Sequence, residues 1–373
     1  MEHRKGPLEN LEITKFKQFF SGKKIFLTGH TGFKGSWLLT WLKALGSEVM
    51  GYALAPNNEN TLYDILHGDK LCNSILGDIR DRALVRKKLV LFEPDIIFHL
   101  AAQPLVIDSY KDPVYTYDVN VTGTANVLDG LRFLKKPCVA VMITTDKVYY
   151  NDETGRPYKE TDRLGGFDPY SASKAAAEIV IDSYRQSFFH PSKYGAHQKS
   201  ISSVRSGNVI GGGDWSSDRI IPDFARSILA NEELVIRNRH SVRPWQHVLE
   251  PLSGYLLLAH SQFNDGVNYA DAFNFGPEPS DVLTVESLIQ QAIKRWGKGS
   301  YRVMNEIETV HEAGMLKLDI EKAKTQLNWK PVYTSQQAIE KTIDWYKGFN
   351  EQPYSIVNYT RNQIAAYEKL MFQ

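Results

Sequence analysis

The sequence lacks the features that mark membrane-spanning, secreted and nucleic-acid-binding proteins. No apolar run reaches the roughly 18 residues of a membrane-spanning helix, and residues 1–7 have no apolar core typical of a signal peptide. Only two cysteines are present, Cys72 and Cys138, in apolar segments, so we expect reduced thiols and a cytoplasmic protein. With 44 Lys and Arg against 43 Asp and Glu, the net charge of +1 predicts neither nucleic acid nor a membrane surface as a partner. No Cys/His cluster has metal-ligand spacing, so no metal site is predicted.

Strand-like and helix-like segments alternate from residue 22 onward. Short, continuously apolar strands between helices are typical of a parallel sheet covered on both faces. We therefore predict an α/β fold with a doubly wound parallel sheet of the Rossmann type. The predicted strands are 24–28, 48–54, 73–77, 95–100, 139–144 and 200–210. The predicted helices are 33–45, 84–92, 114–134, 170–189 and 218–229.

The alternation weakens after a glycine-rich loop at 211–214, which predicts a second, smaller lobe of mixed α/β structure. The predicted division is an N-terminal extension at 1–21, a dinucleotide-binding domain at 22–210, and a substrate-binding lobe with C-terminal helices at 211–373. The segment at about 241–270 is predicted to return to the first domain.

Three glycines, Gly29, Gly32 and Gly35, lie between the first predicted strand and the first predicted helix. In this position glycines permit a tight turn, let a pyrophosphate approach the backbone, and let the helix pack close to the strand. The spacing G-x-x-G-x-x-G differs from the commoner G-x-G-x-x-G, and a tight turn without a ligand is the alternative. The second strand ends in 52–56 (Tyr-Ala-Leu-Ala-Pro), which carries neither an acid for the NAD ribose nor an arginine for a 2′-phosphate. This strand therefore does not decide between NAD and NADP.

Tyr170 and Lys174 lie four residues apart at the start of a predicted helix, which places them on one face, one turn apart. A tyrosine with a pKa of about 10 is a poor base near neutrality, and a neighbouring ammonium lowers that pKa. Such a pair can remove the proton of a secondary alcohol while a nicotinamide takes the hydride. An ordinary pair of surface neighbours is the alternative for this spacing alone.

Thr145, Asp146 and Lys147 follow the strand at 139–144, at the carboxyl edge of the predicted sheet. Thr145 can bind a sugar hydroxyl, Asp146 can donate a proton if its pKa is raised, and Lys147 can accept one if its pKa is lowered. A polar strand-to-loop cap with a solvated ion pair explains these residues equally well.

The glycine motif, the Tyr-x-x-x-Lys pair and the segment 99–103 (His-Leu-Ala-Ala-Gln) together resemble the extended short-chain dehydrogenase/reductase family. Within that family the chain is similar to the sugar-nucleotide 4,6-dehydratases. Lys147 stands where the dTDP-sugar enzymes carry glutamate, which favours the CDP-sugar branch. Further matching motifs lie at 164–171, 206–215, 243–248 and 311–313.

The resemblance implies a bound NAD that is reduced and reoxidised in each turnover, with CDP-glucose as the substrate and CDP-4-keto-6-deoxyglucose as the product. It further implies that Tyr170 takes the C4 hydroxyl proton, that Lys174 supports it, and that Asp146 protonates the leaving C6 oxygen. The resemblance leaves two alternatives for the base that takes the C5 proton. Either Lys147 takes it, or Asp146 and Lys147 divide the acid and base roles differently. The residues implied to contact the cofactor are Gly29, Thr31, Gly32, Phe33, Gly35, Asp78, Ile79, Ala101, Ala102, Gln103, Asn120, Tyr170 and Lys174. The residues implied to contact the substrate are Thr145, Asn208, Arg219 and Arg243.

Two other functions remain open from the sequence. A sugar-nucleotide 4-epimerase would share Tyr170 and Lys174 but needs no acid for a C6 oxygen. A non-catalytic protein that senses NAD would need neither residue. The resemblance also implies a homodimer, able to assemble into tetramers, that pairs through the helices at 114–134 and 170–189.

Overall fold

A parallel sheet forms the centre of the protein, of which this computed structural model describes residues 7–56, 61–304 and 316–373. The described strands are β1 (Lys24–Thr28), β2 (Glu48–Ala53), β3 (Asn73–Leu76), β4 (Ile96–His99), β5 (Cys138–Ile143), β6 (Pro157–Tyr158), β7 (Lys199–Arg205), β8 (Val209–Ile210), β9 (Leu234–Ile236), β10 (Val242–Arg243), β11 (Gln246–His247), β12 (Ala272–Asn274), β13 (Leu283–Thr284), β14 (Tyr301–Val303) and β15 (Lys317–Leu318). Seven of these strands share the main sheet, and the others form two-stranded pieces around it.

Helices surround this sheet, and several begin at a side-chain cap. The described helices are α1 (Pro7–Phe20), α2 (Phe33–Ala44), α3 (Leu62–Ile65), α4 (Arg82–Phe92), α5 (Val106–Lys111), α6 (Pro113–Tyr117), α7 (Gly123–Leu131), α8 (Pro169–Ser187), α9 (Tyr194–His197), α10 (Ile220–Ala230), α11 (Leu249–Asn264), α12 (Val285–Trp296), α13 (Glu321–Leu327), α14 (Ser335–Glu351) and α15 (Ile356–Leu370). At the start of α8, Asp168 accepts a hydrogen bond from the Ser171 amide at 2.9 Å, and Pro169 occupies the first turn.

The main sheet has the order β12-β7-β5-β4-β1-β2-β3, and every neighbouring pair is parallel. The chain builds outward from β1 to β3, then crosses to β4 and builds in the opposite direction. The predicted doubly wound parallel sheet is confirmed. Ligands of such sheets bind beyond the carboxyl ends of the strands at the switch point, which here lies between β1 and β4.

Side chains alternate between the two faces of the sheet and build a core on each side. In β1, Ile25 and Leu27 belong to one core, and Phe26 between them belongs to the other. Trp37 of α2 lies in the first core, and Val127 of α7 lies in the second. Both faces are therefore covered, as the continuously apolar strands predict.

The predicted helix at 114–134 is interrupted in the structure. A π-helical turn, Asp118–Thr122, separates α6 from α7, and Asn120 lies inside it. Such turns are rare and often accompany functional sites. The predicted extension at 1–21 contains α1, whose Phe16 and Phe20 are buried in the first core.

The segment at 241–270 contributes α11, and the last strand of the main sheet, β12, follows it at 272–274. Cys72 and Cys138 do not form a disulfide with each other in the structure. Across the described residues, no helix has both the length and the apolar character required to cross a bilayer.

Candidate active site

The glycine turn after β1 brings three backbone segments into contacts that a side chain would prevent. Gly29 has φ +73°, and a Cβ there would lie 2.8 Å from the Ala101 amide nitrogen, just after β4. A Cβ on Gly35 would overlap the carbonyl oxygen of Gly29. The turn therefore packs directly against the sheet at the switch point, in a geometry that glycine permits.

The start of α2 suits a phosphate group. Gly32 caps this helix with an extended backbone and no side-chain hydrogen bond, and a Cβ on it would meet only the Gly29 oxygen, at 3.4 Å. The first amide groups of the helix thus face space in which a pyrophosphate fits. Thr31 donates a hydrogen bond to the Leu54 carbonyl at 3.0 Å and so holds the turn to the end of β2. These residues fit a dinucleotide cofactor.

Two predicted cofactor residues, Gln103 and Asn120, are hydrogen-bonded to each other. The Gln103 amide donates to the Asn120 side chain at 2.9 Å, and Asn120 donates to the Gln103 carbonyl at 3.1 Å. Asn120 also donates to the Ser173 hydroxyl of α8 at 2.9 Å. The Asn120 side chain therefore connects the backbone of the loop after β4, which includes Ala101 and Ala102, to α8.

The other predicted cofactor residues surround the same edge of the sheet. Asp78 forms an ion pair with Arg80 at 2.7 Å, which holds the pKa of this carboxyl below its usual value. Ile79 is buried, and a Cβ on Gly123 would lie 2.7 Å from its side chain. Phe33 begins α2 and lies beneath the loop at 211–214.

Tyr170, Thr145 and Asp146 lie together beyond the carboxyl end of β5. The Thr145 hydroxyl donates to Asp146 Oδ1 at 2.9 Å, and its proximity to the Tyr170 phenol lowers the pKa of that phenol. All three side chains are buried. The structure thus places the predicted tyrosine near the predicted acid, with Thr145 beside both.

The predicted direction of the Tyr170 pKa is wrong for this structure. Burial raises the pKa of Tyr170 to about 12, and the charge of Asp146 adds to that effect. Lys174 is buried one turn along α8 and donates to the Ile143 carbonyl at 3.2 Å. Burial and the nearby Lys34 ammonium lower the pKa of Lys174 to about 8. Desolvation therefore outweighs the expected stabilisation of the phenolate.

Asp146 has the raised pKa that an acid requires. Burial raises the pKa of this carboxyl, against the opposing effects of Lys147, Thr145 and Arg243. A Cβ on Gly207 would overlap the carboxylate, so glycine is needed beside it.

The predicted substrate residues lie around this carboxyl. The Asn208 amide is 3.4 Å from Asp146 Oδ2, and its φ of +51° is held by the loop after β7. Arg219 donates to Asp214 at 3.0 Å, and its charge lowers the pKa of Tyr170. Arg243 and Lys147 are half-buried, and both lower the pKa of Asp146. The motif at 311–313 lies outside the described residues.

Lys34 is a site residue that the sequence analysis missed. It lies inside the glycine motif, and its ammonium is 3.0 Å from the Tyr255 hydroxyl and 3.3 Å from the Ser206 hydroxyl. Burial lowers its pKa to about 7, and the charge of Asp146 opposes that change. A lysine inside the glycine turn, close to the expected cofactor, was the available signal.

A buried ion pair behind the site was also missed. Arg205 at the end of β7 binds Glu178 of α8 through two contacts of 2.9 and 3.0 Å, and both side chains are 4% exposed. Glu178 also accepts hydrogen bonds from Thr144 at 2.6 Å and Ser203 at 2.7 Å. The pair therefore connects the helix that carries Tyr170 to the strands on both sides of the site.

We expect Arg205→Met to lower the free energy of unfolding by about 3–5 kcal/mol, because it leaves the Glu178 carboxylate buried without its cation. Chemical denaturation monitored by circular dichroism measures this change. The matched control is Arg302→Met, because Arg302 is an exposed arginine 3.7 Å from Glu233 and such pairs contribute at most about 1 kcal/mol. Equal losses in the two variants would contradict the assignment.

The glycine turn at the switch point and the tyrosine–lysine pair on α8 define the class: this is an extended short-chain dehydrogenase/reductase. A family model described as GDP-mannose 4,6 dehydratase matches residues 26–342, and the chain belongs to that family.

Relatives and solved structures agree with this assignment. The chain is 44% identical over 333 residues to CDP-glucose 4,6-dehydratase of Salmonella typhimurium, covering 89% of this chain and 93% of that protein. Its fold matches UDP-glucose 4-epimerase of Thermotoga maritima with a TM-score of 0.74 at 20% identity, covering 88% of this chain and 100% of that one. It matches dTDP-glucose 4,6-dehydratase of Bacillus anthracis with a TM-score of 0.73 at 21% identity, covering 90% of this chain and 100% of that one.

Proposed function

We propose that this chain is an NAD-dependent CDP-glucose 4,6-dehydratase, a lyase that forms CDP-4-keto-6-deoxyglucose and water. The observation that carries the proposal is the buried cluster of Tyr170, Thr145 and Asp146. It places a group that can accept a hydroxyl proton next to a carboxyl that can donate one. The 44% identity to the Salmonella CDP-glucose 4,6-dehydratase supports the choice of substrate.

The glycine turn and the open start of α2 support a bound dinucleotide. The Bacillus anthracis dTDP-glucose 4,6-dehydratase was solved in complex with NAD, which favours NAD here. When bound, NAD supplies a hydride acceptor for C4 of the sugar and a hydride donor for C6.

Tyr170 takes the proton of the C4 hydroxyl in this proposal. Because burial raises its pKa to about 12, the phenolate requires a positive charge nearby in the working enzyme. Lys174, on the same helix one turn away, is the proposed source of that charge. Thr145 orients the phenol and is proposed to bind a sugar hydroxyl.

Asp146 donates its proton to the C6 oxygen, which leaves as water. Its raised pKa favours the protonated form that this step requires. The ketone at C4 makes the C5 proton acidic. Two assignments for the group that takes this proton stay open: Lys147, which lies beside Asp146 in a short helical turn, or a shared role with Asp146.

Arginines are proposed to bind the diphosphate of the substrate. Arg243 is close enough to Asp146 to lower the pKa of that carboxyl. The charge of Arg219 lowers the pKa of both Tyr170 and Lys34. A guanidinium matches phosphate geometry through paired hydrogen bonds. Asn208 contacts Asp146, so we propose that it both orients the carboxyl and meets the sugar.

One assay separates this function from its alternatives. The protein is incubated with CDP-glucose and NAD, alkali is added, and the ultraviolet absorbance of a 4-keto sugar is measured. We expect that absorbance to appear. A 4-epimerase would form CDP-galactose without a ketone, and a protein that only senses NAD would form neither.

The helices proposed to pair in a homodimer carry exposed apolar side chains. Val114 of α6 is 71% exposed, and Ile179 of α8 is 61% exposed. Apolar patches of this kind often mark contacts with a second protein. The exposed apolar side chains on or directly beside α6–α8 also include Tyr117, Phe133 and Phe188.

We expect Ile179→Asp to convert the dimer to a monomer, because the dimer would bury the new charge without a partner. Light scattering coupled to size-exclusion chromatography measures the mass. Leu91→Asp on α4, where the leucine is 70% exposed, is the matched control and should leave the mass unchanged. A dimer that persists in the Ile179 variant would place the contact elsewhere.

A further inference from the structure

A small cavity lies directly against the carboxyl of Asp146. Its walls include Gly207, Pro244, Gln246 and Lys317. The volume within which the centre of a water molecule can move is about 10 Å³, so the cavity holds one water molecule or one hydroxyl group. The prolines that form part of its wall have restricted backbones, so the shape of the cavity is well defined.

Gln246 forms a fixed part of the cavity wall. Its amide nitrogen donates two hydrogen bonds, at 2.9 Å to the Gly207 carbonyl and 3.1 Å to the Phe275 carbonyl. Within 7–56, 61–304 and 316–373, no donor reaches its Oε1, which is closed off from water. This side chain therefore shapes the cavity, and a hydrogen bond to an oxygen inside the cavity has to come from another wall residue.

Lys317 supplies a donor in the cavity wall. It begins β15, is half-buried at the wall of the cavity, and makes no ion pair among the described residues. An ammonium carries three hydrogen-bond donors and no acceptor. A hydroxyl or water oxygen in the cavity can accept one of these hydrogen bonds.

The surroundings of Asp146 restrict where such an oxygen can meet the acid. Thr145 binds one carboxylate oxygen at 2.9 Å, and Asn208 lies 3.4 Å from the other. Gly207 packs so closely against the carboxylate that a Cβ would overlap it. An oxygen atom can approach the Asp146 carboxylate from the cavity, on a side that these three residues do not fill.

We propose that this cavity receives the departing C6 oxygen and that Lys317 donates a hydrogen bond to it during elimination. This inference rests on the proposed dehydratase function. The C5 proton goes to the base, and the electrons of the C5–H bond form the C5=C6 double bond. The C6–O bond breaks, its electron pair stays on oxygen, and the proton of Asp146 completes the water molecule.

Lys317 acts at the moment when negative charge develops on the leaving oxygen. Hydrogen bonds from a cation to such an oxygen are stronger than neutral ones. A donor that strengthens in the transition state accelerates that step and not the preceding oxidation.

The test uses the complete enzyme with NAD and CDP-glucose in single-turnover absorbance measurements of reduced nicotinamide. In Lys317→Met we expect the absorbance to rise at the wild-type rate and to decay about 10- to 100-fold more slowly, as the loss of a charged hydrogen bond implies. Lys317→Arg should recover part of the decay rate. Lys330→Met, at an exposed lysine outside the cavity, should match the wild type.

Three other outcomes overturn the inference. If the decay rate of Lys317→Met equals that of Lys330→Met, Lys317 does not assist elimination. If only the KM for CDP-glucose rises, Lys317 binds another part of the substrate. If the wild type forms neither reduced nicotinamide nor a 4-keto sugar, the proposed function fails together with the inference.

Discussion

Replacing Tyr170 by Phe is expected to lower the rate of C4 oxidation by about 10²- to 10⁴-fold, the usual contribution of a general base. The substitution removes only the phenolic oxygen, which is buried beside Thr145. Single-turnover absorbance of reduced nicotinamide measures the step. Reduced nicotinamide should not accumulate, because the variant fails before the cofactor is reduced.

The matched control is Tyr354→Phe, which removes the same hydroxyl from a fully exposed side chain. Its oxidation rate should equal that of the wild type. Circular dichroism should give the same spectrum for both variants. A Tyr170 variant that oxidises CDP-glucose at a normal rate would remove this tyrosine from the proposed mechanism.

Replacing Asp146 by Asn should block the reaction one step later. The amide cannot donate the proton that the C6 oxygen needs, so water loss should slow by about 10²- to 10⁴-fold. Oxidation at C4 should continue, because Tyr170 is intact. Reduced nicotinamide should therefore accumulate on the enzyme, opposite to the result for the tyrosine variant.

Asp69→Asn provides the control, since Asp69 is an exposed carboxylate on a surface turn. It should show the transient absorbance of the wild type. Unchanged turnover in Asp146→Asn would remove this residue from the elimination. A loss of oxidation as well would show that the amide has disturbed the contact between Asp146 and Thr145 and, through it, the position of Tyr170.

The main sheet could be predicted because its signals are local. Continuously apolar strands, a glycine turn and the helix that follows are each visible in a short window of sequence. The break inside the predicted helix at 114–134 was not visible, because the π-helical turn around Asn120 forms where that side chain meets Gln103 and Ser173. Short strands such as β10 and β15 depend on partners distant in sequence and were also missed.

The residues of the candidate site also fall into those that the sequence could predict and those that it could not. Tyr170 and Lys174 are spaced by the helix itself, and Thr145 with Asp146 follows a recognisable strand. The direction of the Tyr170 pKa was wrong because it depends on burial, which the tertiary structure determines. Glu178 and Arg205, which are 27 residues apart, could not be paired from their positions in the sequence.

The shared hydroxyl of Thr145 has a consequence for titration experiments. Since Thr145 lies beside both the phenol and the carboxyl, and since the charge of Asp146 raises the pKa of Tyr170, a proton on one group weakens proton binding to the other, and the two titrate as a coupled pair. Each limb of a pH–rate profile then reports a macroscopic constant of the pair. A substitution at either residue should displace both limbs, and neither inflection belongs to a single side chain.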